Sequence, residues 1–201
     1  GATMDAYSAA YLGSTEVYGE RIAPFGADAL TVNGYLGTDG IEPALKTGGS
    51  IFVLVKTSNK SSGELQDRRL CDGKTIYETM GDMCEKWGEK YMGSYGYSAV
   101  GAVVGATYPA MLAEMREKLP HTFFLVPGYG AQGGGAEGVA KGFDENGLGA
   151  IVNSSRAIMC AYKKEGCDEH DYAGAARREA LRMKEDITSH IPAIKAPSQD
   201  K

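Results

Sequence analysis

The chain has 201 residues, 43% of them hydrophobic, which is enough apolar material for one domain over residues 1–201 with a sizeable core. Its 21 basic and 26 acidic residues give a net charge of −5 with both signs interspersed, which argues against a dedicated nucleic-acid binder, since such proteins carry a basic face. No apolar run approaches the ~18 residues of a membrane span, no secretory leader pattern opens the chain, and a cytoplasmic location is expected.

The four cysteines (Cys71, Cys84, Cys160, Cys167) form no C-x-x-C pair, and the three histidines stand at no zinc-like spacing from them. Reduced thiols and no metal are expected. Glycine supplies 28 residues, about twice its ordinary share of roughly 7%. Much of it falls at strand ends and loops, which suits an α/β enzyme.

In chain order, Ala6, Ala9, Ala10 and Leu12 have helical spacing, and the pattern runs on through Val17 and Tyr18 to Ile22, before Pro24. A helix is expected over residues 4–22, capped by Thr3 or Asp5. Residues 29–33 read as a strand, 34–40 as its loop and 41–46 as a short helix. Residues 51–55 form an unbroken apolar run, the mark of a strand covered on both faces. It ends in Lys56-Thr57-Ser58-Asn59, and the charged residues between Glu64 and Lys74 read as a solvated loop. A long helix follows over 75–91, with Trp87, Met80 and Met83 expected in the core. Residues 99–104 are the next strand and 109–119 the next helix.

Residues 123–126 are a short strand stopped by Pro127, and glycines crowd the stretch after it: Gly128, Gly130, Gly133, Gly134 and Gly135. A glycine-rich bend after a strand lets backbone N–H groups approach an anion without interference from Cβ, and the positive end of the next helix adds to the attraction. This predicts a phosphate cradle. Residues 149–153 are the last strand, running through Ser154, Ser155 and Arg156 into another helix. An amphipathic helix over 172–187 and a polar tail close the chain.

Five strands, each followed by a helix, imply a parallel sheet with right-handed crossovers. Anion-binding chemistry at the C-terminal ends of two successive strands matches the phosphate site between the last two strands of a (β/α)8 barrel. The fold expectation is therefore α/β, a TIM barrel of which this chain supplies about the last five β/α units.

Several residues admit two readings. Gly128-Tyr-Gly-Ala-Gln-Gly133 satisfies G-x-G-x-x-G, but a dinucleotide fold wants that motif early and an acidic residue at the end of the next strand; here that strand ends in Asn153 and Ser154. A purely structural glycine turn is the other alternative. Gln132 either caps the following helix or donates its amide to a phosphate oxygen. Arg156 is either a surface residue or a guanidinium fork on a phosphate dianion, with the Ser155 and Arg156 amides converging beside it. Ser58 stands at the mouth of a buried strand, as an active-site polar group or a turn former. Lys56 is open to a general-acid role, although a lysine at a strand end is ordinarily solvated.

Four stretches carry a resemblance: Thr31-Val-Asn-Gly-Tyr-Leu-Gly37, Val55-Lys-Thr-Ser-Asn59, Pro127-Gly-Tyr-Gly-Ala-Gln-Gly-Gly134 and Asn153-Ser-Ser-Arg156. They resemble consecutive signatures of the orotidine 5′-phosphate decarboxylase family in its longer bacterial form, and cover nearly the whole chain in order. The resemblance implies a cofactor-free barrel homodimer with shared active sites, converting orotidine 5′-monophosphate (OMP) to uridine 5′-monophosphate (UMP) and CO2. It implies that Arg156 and the amide of Ser155 clamp the phosphate, and that Pro127, Gly128 and Gly130 shape the cradle. Gln132 would bridge phosphate and pyrimidine from a mobile loop, and Ser58 would hydrogen-bond the ring. Thr3 resembles the threonine ending the family's D-x-K-x-x-D-I-x-x-T segment, which reaches the neighbouring subunit's site. The lysine and aspartates of that segment would precede Gly1, so no catalytic residue is expected within this chain. Two rivals stay open: another phosphate-binding barrel lyase or isomerase, and a non-catalytic nucleotide-binding fragment that needs a partner chain, since five barrel units leave sheet edges open.

Overall fold

The computed structural model describes residues 1–130, 135–166 and 169–195. Backbone proximity divides the chain into two units, Gly1–Val104 with Leu119–Phe124, and Gly105–Lys118 with Leu125–Lys201.

The first unit opens with helix α1 (Ala2–Tyr11). The expected continuation to Ile22 does not occur. The amides of Leu12 and Gly13 both donate to the Ser8 carbonyl and close the helix. Strands β1 (Thr15–Val17) and β2 (Glu20–Ile22) then form an antiparallel hairpin. Tyr18 (φ 51°) and Gly19 (φ 81°) make the two-residue left-handed turn that joins Val17 to Glu20, the turn whose twist matches that of paired strands. Val17 thus ends β1, Tyr18 sits in the turn and Ile22 ends β2, and their helical spacing is coincidental. The N-cap of α1 is Gly1, so neither Thr3 nor Asp5 caps it.

Strand β3 (Ala29–Val32), helix α2 (Thr38–Leu45), strand β4 (Ser50–Lys56), helix α3 (Ile76–Gly88) and strand β5 (Val100–Val104) complete the alternation of this unit. β3, β4 and β5 are parallel neighbours, with Leu30 opposite Ile51 and Ile51 opposite Val100. Every residue of β5 is buried. β4 departs from the two-sided burial expected of an apolar run: Ile51, Val53 and Val55 are buried, whereas Phe52 is half-buried and Leu54 exposed. Gly101 is required by a close approach, because a Cβ there would stand 2.6 Å from the Phe52 ring and 2.7 Å from the Phe123 carbonyl oxygen. That carbonyl accepts a hydrogen bond from the Ala102 amide at 2.9 Å. Trp87 is half-buried rather than in the core, and its indole N–H donates to the Thr38 hydroxyl of α2.

The second unit holds helix α4 (Pro109–Lys118), strand β6 (Phe124–Pro127, whose first residue belongs to the first unit), helix α5 (Ala136–Ala140) and strand β7 (Ala150–Asn153). Helices α6 (Ser155–Met159), α7 (Ala161–Glu165) and α8 (Tyr172–Thr188) follow. Its core gathers Leu112, Met115, Val126, Val139, Ala161, Ala175, Met183 and Ile187. Within the first unit the strand order is β3-β4-β5, and within the second β6 neighbours β7. This is the α/β alternation expected from the sequence. Among the described residues, no helix is long and apolar enough to cross a membrane.

Helix α3 starts at a capping box. The Thr75 hydroxyl accepts from the Glu78 amide at 3.2 Å while the Glu78 carboxylate accepts from the Thr75 amide at 2.8 Å, so two amides that no helical carbonyl can reach are satisfied reciprocally. Thr75→Ala is expected to lower the unfolding free energy by about 1–2 kcal/mol, read from the urea midpoint at unchanged slope.

Candidate functional site

Strand β6 delivers the chain into the glycine bend. The Pro127 carbonyl accepts from the Ala106 amide at 3.0 Å, and beyond it Gly128 (φ 105°) and Gly130 (φ 81°) lie in the left-handed region. A side chain at either position would strain the backbone, so these two glycines are there for shape. Between them Tyr129 turns inward and is buried. Its phenol donates to the Asp186 carboxylate of α8, and its carbonyl accepts from the Ser154 hydroxyl at 3.0 Å.

Ser154 is the residue before α6, yet its hydroxyl makes no cap bond to that helix, being committed to Tyr129. This buried bond ties the end of β6 to the end of β7. It also sets Arg156, two residues on, at the same cleft as Gly130. The cleft measures about 250 Å³, and Tyr129, Gly130, Arg156, Lys164, Glu179 and Arg182 contribute to its walls. Its three cationic side chains face one carboxylate, a balance of two positive charges that suits a phosphate dianion. Glu179 holds Arg182 with two contacts of 2.8 and 2.7 Å. The hydrogen bond from Arg182 pulls the Glu179 carboxyl below its ordinary range, and the same bond raises the guanidinium.

The phosphate-type residues of the sequence therefore meet: Pro127 and Gly128 lead into the bend, and Gly130 and Arg156 line one cleft, with Ser155 exposed beside Arg156. The expected contribution of the following helix is small: α5 and α6 have only five residues each, too few for a substantial macrodipole. Gln132, Gly133 and Gly134 lie outside the described residues.

The other predicted residues belong to the first unit. Thr3 is exposed within the first turn of α1, and Ser58 is half-buried on the loop after β4. Lys56, expected to be solvated, is buried at the end of β4, its ammonium 2.6 Å from Asp67. The supposedly solvated loop thus supplies the carboxylate that a buried ammonium needs. Among the described residues, no three or more His, Cys, Asp and Glu side chains gather as a metal site.

Sequence reading missed Ser154, Lys164, Arg182 and Asp186 as parts of this site. Ser154 carried a signal, its place between a strand and Arg156. The α8 residues carried none, because their role arises only when that helix meets the glycine bend.

The sequence model of the orotidine 5′-phosphate decarboxylase / HUMPS family matches residues 8–166. This chain belongs to that family. It is 47% identical over 195 residues to the orotidine 5′-phosphate decarboxylase of Rhodopirellula baltica, covering 93% of this chain and 63% of the relative. With that of Caldicellulosiruptor saccharolyticus it shares 48% over 191 residues, covering 92% and 61%. The chain thus spans somewhat less than two thirds of the length of these curated family members. Among solved structures, the OMP decarboxylase of Leishmania donovani superposes with a TM-score of 0.70 at 29% identity, over 94% of this chain and 64% of that one. The UMP synthase of the same organism gives 0.71 at 31%, over 92% and 37%. The α/β alternation described above is thus that of the family's TIM-barrel-type fold.

Tyr129 reports on the glycine bend. Burial, then the hydrogen bond to Asp186 and its charge, push the phenol above its ordinary value of 10.0, and Arg182 opposes the shift. Because the folded-state value is raised, the associated stability is present below pH 10 and is lost as pH rises through the folded-state value. In an absorbance titration of the 12 tyrosines, Tyr129 is expected to ionise late. Asp186→Asn is expected to move it back toward the others. A titration curve unchanged by Asp186→Asn would contradict the contact.

Proposed function

We propose that this chain carries the phosphate- and pyrimidine-binding part of an orotidine 5′-phosphate decarboxylase, forming one domain over residues 1–201 that corresponds to about the last five β/α units of the barrel. The reaction is decarboxylation of OMP to UMP and CO2 in pyrimidine biosynthesis, without a cofactor, by a cytoplasmic homodimer with shared active sites. The observation that carries this reading is the cleft on which Gly130 and Arg156 converge, in a chain that belongs to this family.

Each residue has a role in it. Arg156 forks onto the phosphate, with the amides of Ser155 and the bend shaped by Pro127, Gly128 and Gly130 around it. Gln132 closes over the bound nucleotide and bridges phosphate and pyrimidine, Ser58 hydrogen-bonds the ring, and Thr3 reaches the neighbouring subunit's site. Binding energy collected at the phosphate, far from the bond that breaks, is spent on that closure and on ordering the pyrimidine. A lysine and its partner aspartates, supplied from outside this chain, meet the carbanion that develops as CO2 leaves.

UMP is expected to raise the melting temperature of the chain, and a simple sugar phosphate to raise it less. Arg156→Ala should weaken UMP binding by about 1.5–3 kcal/mol, the range for a hydrogen bond to a charged group, or roughly ten- to hundredfold in Kd. A protein extended to the length of its relatives should release CO2 from OMP. Equal response to UMP and to sugar phosphates, or no CO2 release, would favour another phosphate-binding barrel.

A further inference from the structure

A buried lysine at the end of a strand demands an explanation, since an ammonium removed from water is costly unless it is paired and hydrogen-bonded. The Lys56 side chain is 3% exposed. Its ammonium donates to the Asp67 carboxylate at 2.6 Å and to the Ser62 hydroxyl at 3.4 Å, and lies 5.6 Å from the centroid of the buried Tyr77 ring. Room for the carboxylate is provided: a Cβ on Gly63 would stand 2.7 Å from the other Asp67 carboxylate oxygen. Lys56 is thus enclosed by the segment that follows it.

The same segment grips the residues next to Ser58. The Thr57 amide donates to the Gln66 side-chain oxygen at 3.0 Å, and the Gln66 amide group donates back to the Thr57 hydroxyl at 2.8 Å. The Thr57 hydroxyl in turn donates to Asn59 at 2.6 Å, and the Asn59 carbonyl accepts from the Ser62 amide at 3.1 Å. Gln66 is itself anchored, its carbonyl accepting from the Tyr77 amide at 3.1 Å. Residues 57–59 are therefore held by a network whose charged centre is the pair Lys56–Asp67.

We infer that Lys56 and Asp67 are positioning residues, which fix the loop of residues 57–59 so that Ser58 is presented to a pyrimidine ring. This rests on reading Ser58 as the ring contact. It gives the buried lysine a task other than proton transfer, and it assigns the task to an ion pair whose acidic half is half-exposed.

The test separates the two ends of the nucleotide. UMP and ribose 5-phosphate are titrated calorimetrically into the unaltered chain and into Asp67→Asn, Asp67→Glu and Lys56→Met. In Asp67→Asn and Lys56→Met, the Kd for UMP is expected to rise about tenfold, the equivalent of one well-placed hydrogen bond. The Kd for ribose 5-phosphate should stay within about twofold, and Asp67→Glu should recover most of the UMP affinity. Should Lys56→Met not fold, Asp67→Asn decides the matter alone. Unchanged UMP affinity in Asp67→Asn, or equal weakening of both ligands, overturns the inference. Absence of UMP binding by the unaltered chain, with ribose 5-phosphate still bound, overturns the pyrimidine reading of Ser58 and the inference with it.

Discussion

The hydrogen bond from the Ser154 hydroxyl to the Tyr129 carbonyl is a modest interaction by energy, worth roughly 1 kcal/mol net, but it fixes the ends of β6 and β7 against each other where the cleft forms. A carbonyl buried beside left-handed glycines cannot be satisfied by a regular ladder. Leaving it unpaired would cost more than the bond contributes. Ser154 satisfies it and in doing so gives up capping α6. Two loops that are distant in sequence are thereby registered against each other, and the Arg156 cleft follows from that registration. The Tyr129 phenol on Asp186 adds α8 as a third anchor, so the described part of the bend is held through the Tyr129 side chain.

A different solution to a related problem appears in the first unit. There the polar group at the strand's end is a full charge, Lys56, and the price of burying it is met by Asp67, Ser62 and Tyr77. Partnered in this way, the ammonium becomes a rigid post instead of a liability. The surrounding amide network acts as its extension, since Thr57 and Asn59 are each bonded within the same segment. The loop after β4 is specified by chemistry at its base, which is what a recognition loop requires if its tip is to be preorganised.

These two cases show what the sequence disclosed and what it withheld. Alternation of apolar runs with helical periods made the strands from β3 to β7 legible, because burial imposes those periods directly. The glycines at 128 and 130 were legible as well, since a left-handed bend demands that residue type. The hairpin at Tyr18-Gly19 was not: its apolar residues fall at helical spacing, and its two strands are exposed, so burial imposes no strand period on them. Lys56–Asp67, eleven residues apart, was hidden for another reason. Nothing local tells a lysine that it will be enclosed; the enclosure comes from the later turn around Gly63.

The distribution of charge in the cleft bears on how a phosphate would be held there. Arg182 is engaged by Glu179, so part of its charge is already neutralised within α8. Arg156 stands instead on a short helix at the rim, exposed to water. An exposed guanidinium gives up less hydration on meeting a dianion than a buried one would have given up on folding. It could follow an anion by side-chain rotation while Tyr129 stays anchored to Ser154 and Asp186. An anchored Tyr129 beside an exposed guanidinium would let a phosphate be held without deforming the fold, which would leave binding energy for ordering the rest of a ligand.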